Sequence, residues 1–504
     1  MEPKNFCNFP FIRIGEIFLK KGLISENQLA MILKTQQREN KQFGEIAVSL
    51  GFIDEEILLK ELSEIFLIKI VDLEFLYIAP EILKTLDFET ANFCKAIPFF
   101  MNDSMVKIAI RDPGEIKFTD KIRSHYKNKN VQFFIAKSSE ILRFLEIMKS
   151  DSKTIQKDPL LLLNKIIFDA IENKASDIHF EPQENTVRLR FRIDGVLEIM
   201  GDIDLEFWPR ISSKLKIMAN LNIVESRKPQ SGHTKINLIG RNIDLRISTH
   251  PGVFGENFVI RILDLSTGIC SLQELGFFKD DYLWLKKICT SPNGLFLIVG
   301  PTGAGKTTTL YSILNEINSS TINIMTLEDP IEHQIDGIKQ MELHEEGILN
   351  FSDGVKSILR QDPDVLLIGE IRDEATAASA VRAALTGRLV LATLHAATPL
   401  EGLRRLMDFG LKFQDLIPIL LGIFSQRLVR YLDLEHSEKK KYSGRFPLTE
   451  YIYFSSKLKE KLLEKKDLSI CKSEKTFKQS AEEAIKKNLT DLDEIKRVLG
   501  DDII

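Results

Sequence analysis

LFLIVGPTGAGKTTTL, Leu295 to Leu310, decides how this chain is read. An unbroken apolar run, Leu295 to Val299, enters a glycine-rich loop, and the loop leaves into residues of helical character. The loop, Gly300-Pro301-Thr302-Gly303-Ala304-Gly305-Lys306-Thr307, fills every position of the pattern G-x-x-x-x-G-K-[ST], and Thr308 follows it. Glycines let consecutive backbone N–H groups turn inward around phosphate oxygens, and the next helix adds the positive end of its dipole. Lys306 is placed to reach β- and γ-phosphates, and the Thr307 hydroxyl to ligate Mg²⁺. Strand, loop and helix in this order are the context the motif requires, so a nucleoside triphosphate, ATP, is the expected ligand.

Three further stations follow the loop. TLEDPIEH (326–333) closes the apolar run INIMTL and sets Glu328, Asp329 and Glu332 at a strand end. DVLLIGEIRD (364–373) reads as a second buried strand with Glu370 just beyond it, and LVLATLHAATP (389–399) as a third that ends in His395. Carboxylates on the C-terminal edge of a parallel sheet hold Mg²⁺ or orient a water. A strand-end acid alone is ordinarily a turn residue; three such stations behind an intact phosphate loop read as one site.

The rest of the chain frames this motor. At 504 residues it exceeds one core, and its 44% apolar and 28% charged composition is that of a folded protein. A net charge of −4 gives no electrostatic reason to expect nucleic acid as partner. No apolar run has transmembrane length and the N-terminus has no signal-peptide plan, which points to the cytoplasm. The scattered cysteines, Cys7, Cys94, Cys270, Cys289 and Cys471, fit a reducing compartment and offer no metal site.

Residues 13–65 contain a repeat: RIGEIFLKKGLISENQLAMILKTQ (13–36) is echoed by QFGEIAVSLGFIDEEILLKELSEI (42–65). Gly15 aligns with Gly44, Gly22 with Gly51, Leu29 with Leu58 and Leu33 with Leu62, and Ser25 and Asp54 read as helix N-caps. Leu67 to about Met148 reads as a small α/β module without a catalytic constellation, and KSDSKTIQKDP (149–159) as linker. A helix, alternating strands and LKIMANLNI then make an α+β middle domain carrying Arg190, Arg192, Arg246 and Arg261 on strands. Strand arginines in alternation are either a solvated sheet face or charges aimed at phosphate.

Several stretches carry a family resemblance: the tandem repeat with its five-residue spacer (37–41), KASDIHFEP (174–182), FRIDGVL (191–197), LKIMANLNI (215–223), DLRIST (244–249) with GEN (255–257), and the stations above. Over about residues 13–500 the chain resembles the bacterial type II secretion and type IV pilus assembly ATPases. The resemblance implies a multidomain α/β fold: a RecA-like P-loop ATPase core, a PAS-like α+β middle domain and a helical plus α/β N-terminal module. It divides the chain into 1–66, 67–150, a linker at 151–158, 159–270, 271–430 and a closing helical subdomain at 431–504.

Carried over residue by residue, the resemblance makes Glu332 the general base and has Glu370 orient the Mg²⁺ shell, with Glu328 and Asp329 beside it. It makes His395 a γ-phosphate sensor. Arg246, with Arg190, Arg192 and Arg261, faces the nucleotide of the same or a neighbouring subunit, and Gln426 and Arg427 in Q-R-L-V-R match positions the family also displays. At the repeat it implies cyclic-di-GMP bound through Arg13, Leu29, Leu33 and Gln36; the second copy has Gln42 and Ile65 where the family shows Arg and Gln, and a docking-only role is the alternative. Ser231-Gly232-His233 replaces the family's D-G-R, and Arg388 stands where it commonly has His. After Gln426-Arg427 the family often inserts a four-cysteine zinc knuckle; YLDLEHSEKKKYSGRF has no cysteine and only His436, so no zinc is expected, and Lys439–Lys441 reads as a solvated loop.

The implied protein is a homo-hexameric ATPase docked on the cytoplasmic face of the inner membrane. With a platform protein there, it pushes pilin-like subunits outward. Pilus assembly is preferred over type II secretion on the tandem repeat and the missing zinc loop. A nucleotide-binding scaffold without turnover is the reading from another class.

Overall fold

The computed structural model describes residues 14–39, 41–74, 76–113, 116–149, 158–238, 241–264, 268–343, 351–433 and 441–501. Arg13, the linker up to residue 157, His436 and Lys439–Lys440 lie outside the described residues. The chain forms two compact units, one of residues 1–173, 177–190 and 199–262, the other of 174–176, 191–198 and 263–504.

In the first unit the repeat is four helices, Ile14–Lys20, Glu26–Gln36, Phe43–Ser49 and Glu55–Phe66. Its two copies pack alike. A Cβ on Gly15 would stand 2.8 Å from Leu29 Cδ1, and one on Gly44 2.7 Å from Leu58 Cδ1, so each glycine admits the leucine 14 residues on. Phe18, Ile24, Ile32, Ile46, Ala47 and Ile53 form the core between the copies. Ser25 caps its helix through the Gln28 amide, whereas Asp54 occupies the N-cap position without a side-chain cap bond. Next come β1 (Ala96–Met101), β2 (Met105–Ile110) and β3 (Asn130–Ile135), with β2 central, antiparallel to β1 and parallel to β3. The repeat docks on this sheet through Leu59 and Leu62 against Ile68 and Ile135, and Ser138 N donates to Glu55 at 2.7 Å.

The middle sheet follows the helix Pro159–Glu172, whose N-terminus is capped by Asp158. Its strands are β4 (Asp177–Pro182), β5 (Thr186–Ile193), β6 (Val196–Asp204), β7 (Gln230–Leu238), β8 (Arg241–Gly252) and β9 (Gly255–Asp264). They lie in the order β6-β5-β4-β9-β8-β7. Along β5, Val187, Leu189, Phe191 and Ile193 are buried while the residues between them are half-exposed, which is the period-two pattern of a sheet with one covered face.

The second unit is built on a seven-stranded sheet. Its strands are β10 (Gly294–Val299), β11 (Ile324–Glu328), β12 (Lys339–Glu342), β13 (Val365–Ile368), β14 (Leu389–Leu394), β15 (Leu420–Leu432) and β16 (Tyr442–Tyr453). The order is β12-β11-β13-β14-β10-β15-β16, all parallel except the β15–β16 pair. Every residue of β10, β13 and β14 is buried, as a parallel sheet covered on both faces demands. Leu295, Leu297 and Val299 enter one core and Phe296 and Ile298 the other, so alternation along one strand divides the two layers of helices. Each such side chain contributes roughly 1.5–3 kcal/mol by leaving water.

One expectation is corrected here. The stretch after residue 430 does not close the chain as helices alone: Tyr442–Tyr453 is a twelve-residue strand paired with β15 from Gly422↔Tyr453 to Leu432↔Tyr442. Phe446 and Leu448 are fully buried in the core that the helix Phe477–Lys486 covers, so this strand completes the motor sheet before the terminal helices begin.

Candidate functional site

The parallel strands β10, β11, β13 and β14 place their C-terminal ends on one edge of the sheet, and the four stations found in the sequence follow those ends directly. The phosphate loop leaves β10 and runs into the helix Lys306–Ile317, whose N-cap is Gly305 at φ +81° with no side-chain cap. The first-turn N–H groups of that helix are therefore not satisfied by a capping side chain, as an anion site requires. Behind the loop lies Gln426, which is 3% exposed: its Oε1 accepts the Thr309 hydroxyl at 2.9 Å, and its Nε2 would stand 2.9 Å from a Cβ on Gly305. Only a residue without a side chain closes the loop this tightly.

Lys306 Nζ donates to the carbonyls of Gly300 and Pro301, both at 2.9 Å. Burial pushes its pKa down, Arg427 adds to that, and Glu370 and Glu332 oppose it. A desolvated ammonium held by two neutral carbonyls is short of negative charge, and phosphate oxygens supply it. The cradle and the donor set fit a triphosphate with its Mg²⁺, Thr307, Asp329 and Glu370 being the residues that would hold the ion.

Glu370, past the end of β13, is held on both oxygens: His395 Nε2 lies 3.0 Å from Oε1, and Arg372 Nε donates to Oε2 at 2.7 Å. Arg372 also reaches Asp329 Oδ2 at 3.4 Å, tying two stations together. The His395 backbone is fixed by Arg405 Nη1 on its carbonyl at 2.7 Å, and Arg427 Nη2 donates to Ala397 O at 3.0 Å. Arg427 thus joins the strand behind the phosphate loop to the histidine loop.

Glu328 departs from expectation. It is 3% exposed, and both its oxygens are engaged: the Tyr311 hydroxyl donates to Oε2, and Thr326 and Gln340 donate to Oε1. A carboxylate with three protein donors has little to offer a metal, which leaves Thr307, Asp329 and Glu370 as the residues of the expected set that would hold Mg²⁺. Glu332, four residues on, is exposed, and its backbone N–H donates to the Tyr311 hydroxyl at 3.3 Å.

The middle-domain arginines sit on their own sheet with local partners. Arg190 pairs with Glu181, Arg261 Nε donates to Asp177 Oδ1 at 3.1 Å, and Arg192 Nη1 donates to Gly195 O at 3.2 Å. Arg246 stands directly across from His233 in the β7–β8 ladder, which puts the exchanged histidine beside the arginine assigned to phosphate. At the repeat, Leu29 packs on Gly15, Leu33 is 47% exposed, and Gln36 Nε2 spends itself on Lys41 O at 3.4 Å. The Gln42 amide donates to Glu45, which pairs with Arg111 of the adjoining module.

Sequence reasoning missed Tyr311, Gln340 and Arg372. Arg372 was within reach, because its spacing of two from Glu370 puts both on one side of an extended chain. Tyr311 and Gln340 read as ordinary helix and strand residues.

A family model described as Type II/IV secretion system protein matches residues 150–497, and one described as MshEN domain matches 66–155. A Myxococcus xanthus protein named type IV pilus assembly ATPase PilB is 36% identical over 451 residues, 83% of this chain and 80% of its own length. A Xanthomonas campestris type II secretion system protein E is 42% identical over 304 residues, 60% of this chain and 53% of its own. Among solved structures, the ATPase DotB of Legionella pneumophila is 22% identical with a TM-score of 0.54, covering 67% of this chain and 95% of that one, which shows the fold.

Proposed function

The chain belongs to the type II/IV secretion system protein family, and we propose that it is an ATP-hydrolysing motor for type IV pilus assembly. The observation that carries this is the convergence of Lys306, Glu370 and His395 on one sheet edge, with Glu370 gripped on both oxygens and the Glu332 loop next to it. Thr307, Asp329 and Glu370 would hold Mg²⁺, which would supply neutralisation of the charge that develops in phosphoryl transfer.

The chain's own residues do the rest. Lys306 exchanges its two carbonyl partners for phosphate oxygens and draws charge off the γ-phosphoryl group. Glu332, exposed at the loop and close enough to Lys306 for their charges to interact, takes the proton of the attacking water. Glu370 would help to hold the ion, and Arg372 and His395, one on each carboxylate oxygen, keep it from swinging away. His395 passes the state of the γ-phosphate through Glu370 to the rest of the edge. Arg246 would act on phosphate from the middle sheet, and Arg190, Arg192 and Arg261 would support it only by exchanging the partners they hold.

As the family resemblance implies, the chain would work as a homo-hexamer on the cytoplasmic face of the inner membrane, with a platform protein and pilin subunits as partners. A cyclic dinucleotide would act at the tandem repeat through Arg13, Leu29, Leu33 and Gln36; the MshEN match lies beside the repeat, at 66–155, and Gln42 in the second copy argues for weak affinity. The second reading, a type II secretion ATPase, is favoured by the 42% identity to a protein E.

Phosphate release by the purified chain is expected to vanish in Lys306→Ala and to fall at least about hundredfold in Glu332→Gln. Wild-type release no faster than that of Glu332→Gln would leave a scaffold without turnover. A strain carrying Lys306→Ala, scored for surface pili and for secreted hydrolases, separates the two machines: normal pili with lost secretion would make this the secretion ATPase.

A further inference from the structure

Tyr311 lies in the second turn of the helix Lys306–Ile317, five residues beyond Lys306, and is 2% exposed. Its ring sits in the core with Leu310, Leu314 and Ile335, which any aromatic residue would satisfy. Its hydroxyl does something else: it donates to Glu328 and accepts the Glu332 backbone N–H at 3.3 Å. Burying a phenol is costly unless it is bonded, and here it is bonded on both sides.

The segment from Glu328 to Ile335 is held from its far side too. Gln340 Nε2 donates to Glu328 Oε1 at 3.2 Å and to His333 O at 2.9 Å, and its Oε1 accepts the Ile335 N–H at 2.8 Å. Tyr311 from the phosphate-loop helix and Gln340 from β12 hold this loop on either side of Glu328, Arg372 reaches Asp329 within it, and Asn318 Nδ2 donates to Asp336 O at 2.8 Å before β12 begins. Burial and the neighbouring Glu328 charge push the Tyr311 pKa far up, so the hydroxyl stays a donor throughout the working pH range.

We propose that Tyr311 is a positioning residue for hydrolysis: its hydroxyl, set between the Glu328 carboxylate and the Glu332 amide, aims the Glu332 side chain at the water that attacks the phosphate held by Lys306. This rests on the reading of Glu332 as general base. The physical consequence is that one rigid helix carries both Lys306 and the clamp on the base. Electrophile and base then move as a unit, and a shift of the helix does not spoil their alignment.

The test uses the full-length assembly and steady-state phosphate release. Tyr311→Phe keeps the ring and deletes the clamp, so kcat is expected to fall about tenfold while the KM for ATP and the affinity for a fluorescent ADP analogue stay within about twofold. Gln340→Leu, which loosens the same loop from outside the core, is expected to show the same split, and it keeps the idea open to refutation should Tyr311→Phe fold poorly. In the double variant Tyr311→Phe/Glu332→Gln the rate should equal that of Glu332→Gln alone, because a clamp has nothing to aim once the base is gone. Additive losses, a matching drop in nucleotide affinity, or unchanged kcat in both clamp variants would overturn the proposal. Full activity in Glu332→Gln would instead bring down the general-base reading, and the proposal with it.

Discussion

Replacing Gly305 by alanine tests the reading of the phosphate loop most directly. At φ +81° an L-residue costs about 1–2 kcal/mol. The new Cβ would also stand 2.9 Å from Gln426 Nε2, and Gln426 cannot step aside freely because its Oε1 holds the Thr309 hydroxyl at 2.9 Å. Breaking that bond adds about 0.5–1.5 kcal/mol. The sum is roughly 1.5–3.5 kcal/mol, which at 1.4 kcal/mol per decade is on the order of 10- to 300-fold. Gly303→Ala is the matched control: it too has a positive φ, +76°, but a Cβ there meets nothing within 4 Å, so only the backbone cost of about 1–2 kcal/mol applies. Titration with a fluorescent ADP analogue, alongside thermal unfolding of each variant, captures the cost whether the free loop relaxes or holds its strain. Gly305→Ala should lose severalfold more than Gly303→Ala in the two readouts combined. Equal losses would mean that Gln426 does not back the loop, and the account of why glycine stands at 305 would fail.

Two other expectations concern buried charge. Glu140 is 8% exposed, accepts the Leu73 N–H at 2.8 Å, and has its pKa pushed up to about 7 by burial, with Asp72 and Glu74 adding to the shift and Lys137 opposing it. A carboxyl whose folded pKa lies above its unfolded value makes the fold less stable as pH rises from about 4.5 to about 7, by at most roughly 3 kcal/mol. Hydrogen-exchange protection of 71–74 and 138–148 should therefore be lower at pH 8 than at pH 5.5 after correction for intrinsic rates, and Glu140→Gln should remove the difference. In the motor unit, Asp281 is fully buried and bound by Lys475 Nζ at 3.0 Å to each oxygen and by the Thr449 hydroxyl at 2.8 Å. Lys475→Met should cost about 3–5 kcal/mol by stranding that carboxylate, and adding Asp281→Leu should recover much of it, read from urea unfolding.

Where local chemistry has only one solution, the residues alone determined the outcome. The phosphate loop, the three strand-end stations and the two-copy helical repeat stand where the motif and spacing put them, because glycine conformations, helix caps and apolar periodicity act over a few residues. Other features depended on contacts between residues far apart in the chain. Tyr442–Tyr453 became a sheet strand because β15 offered an edge, and nothing within the stretch itself announces that neighbour. Glu328 and Glu332 are both acids at one strand end, yet a tyrosine 17 residues earlier takes the first into the core and leaves the second at the surface. Sequence determined which groups reach the sheet edge; packing of distant side chains decided which of them remain free to meet a phosphate.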